Sequence, residues 1–300
     1  MSDAVREALR AIVTAELAAP AAPEVVAVAD AARARHGRGV CAVLFYGSCR
    51  RDGYRDGLLV DLYLIVDGYR AVHSHWLMRV LNRLVPPNVY YLETCLGDAK
   101  VRAKYALVDL GQLERLVSAR TLNPYFWARF AQPTGLMWAR EPAVAPRLAM
   151  VMVESILTTD DAVRPLAGDD PDALTLWTCA FAESYRTELR AEKPERAGQI
   201  VAGDRARYQK LTAALGARRP AMSARRAARL WFWRRLQGKL LSLLRLAKAS
   251  YTFAGGADYL AWKISRHAGA QVEFTPWQRR HPLLAAPLVF WRLTRRGIVR

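Results

Sequence analysis

Acidic residues are nearly missing from the last third of this 300-residue chain: residues 205–300 hold 21 Lys and Arg against 2 Asp and Glu. Residues 1–204 are balanced, 24 against 25, so the formal excess of +18 lies in that last third. Of the 45 basic residues 38 are Arg. A GC-rich genome accounts for part of the preference for Arg over Lys, but not for the missing acids. Such a segment calls for an anionic partner, either phosphate headgroups or nucleic acid. Cysteine is scarce too. Cys41, Cys49, Cys95 and Cys179 lack any CxxC spacing, which supports neither a zinc site nor a disulfide framework and points to a reducing cytoplasm. No apolar run approaches the roughly 20 residues needed to cross a bilayer. There is no internal repeat, no low-complexity linker, no Ser-His-Asp set and no His/Cys cluster of metal-ligand spacing. The first 17 residues read as a charged amphipathic helix and not as a signal peptide.

What the chain does have is hydrophobic material for a core, 52% of its residues. The length suits two modest domains, or one domain with a helical extension. The most informative stretch is Val40 to Asp67. An apolar strand (Val43 to Tyr46) runs into a sharp Gly47-Ser48 turn, and a second apolar strand (Leu58 to Val66) comes after a polar excursion. Inside that second strand sits Asp61, a carboxylate that costs several kcal/mol by rough estimate unless a cation or strong donor satisfies it. Gly lets backbone N–H groups approach an anion and Ser adds a hydroxyl, so the turn suits a phosphate. The alternatives are a plain tight turn and a strand Asp paired with an Arg.

Further along, Glu24 to Arg35 and Ala71 to Leu84 read as helices, the second stopped by Pro86-Pro87. Asn88 to Thr94, Arg102 to Asp109 and Gly135 to Arg140 read as strands. Asp109 is placed to cap a helix to Ser118, and a further helix falls around Asn123 to Phe130. From Pro142 the pattern is helical, over 143–158, 171–190, 194–214, 223–248 and 256–268, with 160–172 as the best hinge. The fold class expected is α/β, a mixed sheet with flanking helices, then a helical domain and a basic C-terminal tail. The divisions are 1–141, 142–270 and 271–300.

A phosphate-binding turn thirteen residues before an intrastrand Asp resembles the nucleotidyltransferase superfamily, in which the turn holds a triphosphate and the Asp holds Mg²⁺. The ordered series of motifs is similar to the mitochondrial-type phosphatidate cytidylyltransferases. Tyr46-Gly47-Ser48 resembles that family's Tyr-Gly-Ser-Gly turn, with Cys49 for the last Gly. Asp61-Leu62-Tyr63-Leu64, Val66-Asp67 and His73 resemble its Asp-bearing strand and the His beyond it. Like the family, the chain lacks a second carboxylate two residues after the first, where Tyr63 stands. Val89-Tyr90-Tyr91, Lys104-Tyr105-Ala106-Leu107-Val108 and Ala128 to Pro133 continue the likeness. So do Ser184 to Arg190, Glu192 through Ile200-Val201, Lys248, Thr252 to Gly255, Tyr259 and Lys263. Glu188 stands where the family has Asp, Thr187 replaces a Gly, and Ser74 to Asn82 departs from its Asn-rich segment. A divergent bacterial branch fits these differences.

The resemblance implies transfer of CMP from CTP to phosphatidic acid, giving CDP-diacylglycerol and pyrophosphate with Mg²⁺ as cofactor. Asp61 is the expected metal ligand, and Glu188, expected on a helix facing the cleft, completes the metal shell or orients the lipid phosphate. Tyr46, Gly47, Ser48, Arg50, Arg51 and Asp67 are the nucleotide candidates; Lys100, Lys104 and His73 are those for the lipid phosphate. Each has a plainer alternative: a solvated loop for Arg50 and Arg51, a helix cap for Asp67, a surface charge for Glu188 and a structural role for His73.

Leu230 to Lys248 forms a basic amphipathic helix. Phe232, Trp233, Leu236, Leu240, Leu243, Leu244 and Ala247 lie on one arc, and Arg234, Arg235, Lys239 and Arg245 lie opposite. That arc suits either an anionic membrane surface or the core. Pro282 to Arg300 is the preferred interfacial anchor. The expected location is the cytoplasm, peripheral on the inner face of the membrane, with nucleic acid the less favoured partner. The competing functions are nucleotidyl transfer to RNA, protein or a small metabolite, and a non-catalytic regulatory protein of the same fold.

Overall fold

The computed structural model describes residues 2–252 apart from 56, 169 and 190–194, together with 275 and 277. Helices α1 (Asp3–Leu17) and α2 (Pro23–Ala34) precede strand β1 (Val40–Tyr46). A five-residue helix α3 (Ser48–Asp52) leads to β2 (Leu59–Val66), then α4 (Tyr69–Val72), α5 (Trp76–Leu84) and the hairpin β3 (Asn88–Leu96) and β4 (Ala99–Asp109). Helices α6 (Leu110–Leu116) and α7 (Trp127–Phe130) and strand β5 (Gly135–Ala139) come next. The remainder is helical: α8 (Val144–Val163), α9 (Ala173–Tyr185), α10 (Arg196–Gly203), α11 (Arg205–Leu215) and α12 (Ala224–Thr252). The architecture is the expected mixed α/β one, with a helical region after it.

Local chemistry sets several boundaries. Pro23 opens α2, where its missing N–H costs nothing. Asp109 caps α6 by accepting from the Gln112 amide at 2.7 Å, and Asp172 caps α9 by accepting from Thr175 at 2.6 Å. The five strands lie in the order β3-β4-β2-β1-β5, with β2 and β4 parallel and the other pairs antiparallel. Strand period two divides the sheet into faces. Val60, Leu62, Leu64 and Val66 pack with Val25, Val28, Ala29 and Ala32 of α2. Tyr63 and Ile65 face the helical region, in one core with Trp127, Leu148, Trp177, Tyr208 and Trp231. Asp61 shares parity with that second face.

Four expectations about the helices change. The helix over 71–84 is two, α4 and α5, with His73 between them. The stretch suggested as a hinge opens inside α8, because Asp160 is fully buried and bonded to Arg164 and Arg218 at 2.8 and 2.9 Å. Residues 194–214 divide at Asp204 into α10 and α11. Helix α9 stops at Tyr185, so Glu188 lies in a bend beyond it.

Helix α12 turns most of its basic side inward, Lys239 excepted. Trp231 is fully buried and donates from Nε1 to the Ala162 carbonyl at 2.9 Å. Arg234 donates to the Leu122 carbonyl at 3.2 Å and lies over the Trp231 ring at 5.0 Å. Lys248 donates to the Pro87 carbonyl at 2.9 Å and to Val85 O, and Arg245 donates to the Pro86 carbonyl at 2.8 Å. A Cβ at Gly238 would stand 2.5 Å from the Thr187 carbonyl oxygen, so Gly lets α12 press against the bend that carries Glu188. The apolar arc, from Phe232 and Trp233 to Leu243 and Leu244, is left facing solvent. The segments over 256–268 and Pro282 to Arg300 lie outside the described residues, as does the basic tail.

Candidate active site at the Gly47 turn

Strand pairing sets Tyr46 of β1 and Lys104 of β4 directly beside Asp61, one on each side. All three belong to the face that looks toward the helical region. Gly47 comes directly after Tyr46 with φ +86° and ψ −159°, a conformation essentially reserved for Gly. A Cβ there would meet Asp61 Oδ2 at 2.7 Å. Turn backbone and strand carboxylate therefore meet at a spot that a side chain would fill. Ser48 starts α3 immediately after, half-exposed.

A cationic and aromatic wall stands next to this turn. The Arg129 guanidinium lies over the rings of Tyr46 and Tyr125, at 5.3 and 5.2 Å. Arg245, from the inward side of α12, covers the Tyr125 ring at 4.0 Å. Glu188 is close enough to act on both Arg129 and Tyr125. Burial opposes ionisation of Tyr125, yet Arg129 and Arg245 outweigh it and draw its pKa below the ordinary tyrosine value. Neighbouring Tyr63 goes the other way: burial, then Tyr125 and Tyr46, push it well above that value. Arg129 stays charged, because Tyr46, Tyr125, Tyr63 and Glu188 offset its desolvation.

Among the described residues no group of three or more His, Cys, Asp or Glu could hold a metal ion. A closed protein cage is therefore not built here. The donor set at the turn, a hard carboxylate beside backbone that a Cβ would displace, suits a Mg²⁺ that takes its other ligands from phosphates and water.

The candidates from the sequence divide. Asp61, Tyr46, Gly47, Ser48 and Lys104 come together at the turn, and Glu188 reaches the Arg129 side of it. Arg50 is turned away, donating to the Glu16 carbonyl at 3.2 Å, and Arg51 pairs with Asp52 at 3.6 Å. Asp67 shares parity with Asp61 but lies six residues on, roughly 20 Å along the strand. There it is salt-bridged to Arg140 at 2.5 Å. His73 is buried, its Nε2 within 3.4 Å of the amides of Asn82 and Asn88, which makes it a packing residue between α4 and α5. Lys100 pairs with Glu93 at 3.2 Å at the far end of the hairpin. Tyr125 and the inward-facing Arg245 were not among the expected site residues; their only sequence signal is an aromatic and a cation far apart in the chain.

No protein-family model matches this chain, and no curated protein matches it.

Proposed function

We propose that the Gly47 turn is the active site of a nucleotidyltransferase that transfers CMP from CTP to phosphatidic acid. The observation that carries this reading is the close approach of the Gly47 backbone to the Asp61 carboxylate, which puts a turn suited to a phosphate beside an oxygen suited to a metal. The Gly47-Ser48 backbone and the Ser48 hydroxyl take the outer phosphates of the triphosphate. Asp61 would hold Mg²⁺, which supplies charge neutralisation on the triphosphate. Lys104, one strand over, adds a positive charge on the same face. A phosphatidate oxygen attacks the α-phosphorus, the bond to the bridging oxygen breaks, and pyrophosphate leaves. Positioning and charge carry such a transfer without a covalent enzyme intermediate.

Arg129 and Arg245 supply the charge that an anionic acceptor needs on the other side of the reacting phosphorus. Glu188 keeps Arg129 oriented. The outward arc of α12 meets an anionic membrane, where phosphatidate resides, and the protein works as a peripheral protein on the inner membrane face. Among the described residues no helix is long and apolar enough to cross a membrane.

The test is pyrophosphate release by purified protein with Mg²⁺, each of the four nucleoside triphosphates, and phosphatidic acid in detergent. Release with CTP that depends on phosphatidic acid supports the reading. Release that depends instead on RNA, a protein or a small metabolite shifts the acceptor. No release with any acceptor, and no binding of Mg²⁺-CTP, favours a non-catalytic protein of this fold.

A further inference from the structure

An opening lies at the other end of β2, away from the Gly47 turn. Its cavity of about 590 Å³ is bounded by the segment after β2, by α5 and by the start of α6. Four arginines line it: Arg70, Arg79, Arg83 and Arg115. Arg79 is committed, donating to the carbonyls of His73 and Ser74 at 2.7 and 2.6 Å. Arg70, Arg83 and Arg115 are exposed, and among the described residues their guanidinium groups have no carboxylate or hydrogen-bond partner. Two carboxylates also line the space, but both are engaged. Asp67 is bound to Arg140, and Asp109 caps α6. Arg83 and Arg115 both act on the Tyr69 hydroxyl at the floor, so their charges converge. The opening thus holds four guanidinium groups against two carboxylates, an excess of positive charge.

Beside it, α5 presents a row of apolar side chains to solvent. Trp76 is 65% exposed, Leu77 44%, Val80 40% and Leu84 68%. Positions 76, 80 and 84 stack on one side of the helix, and the strip runs about 12 Å along it. A soluble phosphorylated metabolite would cover Trp76 and leave the rest of this strip in water. Just beyond Leu84, the segment of Val85, Pro86 and Pro87 is gripped by Arg245 and Lys248 of α12. Of the sixteen large apolar side chains exposed among the described residues, eleven belong to α5 and α12. Apolar surface concentrated next to unpaired guanidinium groups matches a bilayer interface: acyl region for the one, headgroup phosphate for the other.

We infer that the Arg70, Arg83 and Arg115 opening is a binding site for the phosphate of an anionic phospholipid headgroup, with the α5 strip entering the bilayer beside it. The site is distinct from the Asp61 turn and does not depend on nucleotidyl transfer there. It would fix how the protein sits on the membrane, a role that unspecific attraction by a basic tail does not fulfil.

The experiment uses the full chain and flotation with vesicles of phosphatidylcholine, alone or with phosphatidylglycerol or phosphatidic acid. The double variant Arg83→Gln/Arg115→Gln should bind anionic vesicles roughly 25-fold more weakly, about five-fold per arginine. Its pyrophosphate release in detergent should be unchanged, which separates this site from the Asp61 reading. Trp76→Ser/Leu84→Ser should weaken vesicle binding with the charges intact. The single variant Arg70→Gln, at an exposed position without a partner, gives the same readout if the double variant unfolds. Unchanged binding in these variants overturns the inference. So does a site that takes glycerol phosphate in solution while vesicle binding ignores Arg83 and Arg115, since the ligand is then a free phosphate. Loss of RNA binding with vesicle binding intact overturns it equally.

Discussion

The two ends of strand β2 carry similar carboxylates in different surroundings. At its beginning the Asp61 carboxylate packs against the Gly47 backbone. Beyond its end Asp67 is already tied to Arg140, and the arginines around it are left in excess. On the functions proposed above, one end would serve a cation and the phosphates that accompany it, and the other an anion. A carboxylate at a strand end is therefore no guide to chemistry until its partner is known. Here the surroundings differ: the Gly47 backbone lies against the first, and Arg140 pairs with the second.

The sharpest way to break that contrast is to neutralise each carboxylate in turn. Asp61→Asn should lower turnover by roughly a thousand-fold, since a metal ligand supplies several kcal/mol of charge stabilisation. Asp67→Asn should leave turnover within about two-fold, because exposed ion pairs contribute little. Equal effects of the two substitutions would erase the distinction. Next in size is Gly47→Ala. Its Cβ would collide with the Asp61 carboxylate, and its backbone would pay about 1–3 kcal/mol for a conformation that only Gly holds easily. Thermal unfolding and nucleotide affinity should both fall; an unchanged melting point would mean that the turn is not rigid. Ser48→Ala should raise the barrier for kcat/KM by about 1–2 kcal/mol, one hydrogen bond to a charged group. A value near zero would reduce Ser48 to a turn residue.

The smallest effect concerns pH. Burial, then the charge of Arg245, holds Lys248 down to about 7. In the unfolded chain a lysine titrates near 10.4. Between about pH 7 and pH 10 the unfolded chain therefore binds more protons, and rising pH favours the folded state through this residue. Lys248→Met should flatten that rise, measured by urea unfolding at about pH 6.5, 8 and 9.5. The same slope in both proteins would mean that Lys248 remains charged on its carbonyl partners.

The central strands, the Asp109 cap and the Gly47-Asp61 meeting were legible in the sequence, because each rests on residues close together in the chain. Apolar runs mark strands, an Asp after a strand marks a cap, and a Gly-Ser turn between two strands returns to the strand it pairs with. The orientation of α12 was not legible. An amphipathic pattern says that a helix has two faces, not which of them is inside. Its basic face is satisfied by backbone carbonyls at 85–87 and 122 and by the rings of Tyr125, Trp127 and Trp231, none of the carbonyls near it in sequence. Trp231 and Gly238 on that side were the available signal, a large ring and a point of close approach on the side that carries the charge. Glu188 was legible as a candidate but not as a bend residue, because α9 ends on the Thr187 hydroxyl's bond to the Ser184 carbonyl at 2.6 Å. Tyr125 and Arg129 lie four residues apart, but Arg245 comes from a distant segment, and only the folded chain joins it to them.

The most direct measurement tracks the label of α-phosphate-labelled CTP incubated with phosphatidic acid, Mg²⁺ and the full chain in detergent. Label should pass into the chloroform-extractable lipid with wild-type protein and with Asp67→Asn, and not with Asp61→Asn. Label that enters lipid equally with Asp61→Asn, or never enters lipid with the wild type while Mg²⁺-CTP is bound, would contradict the account.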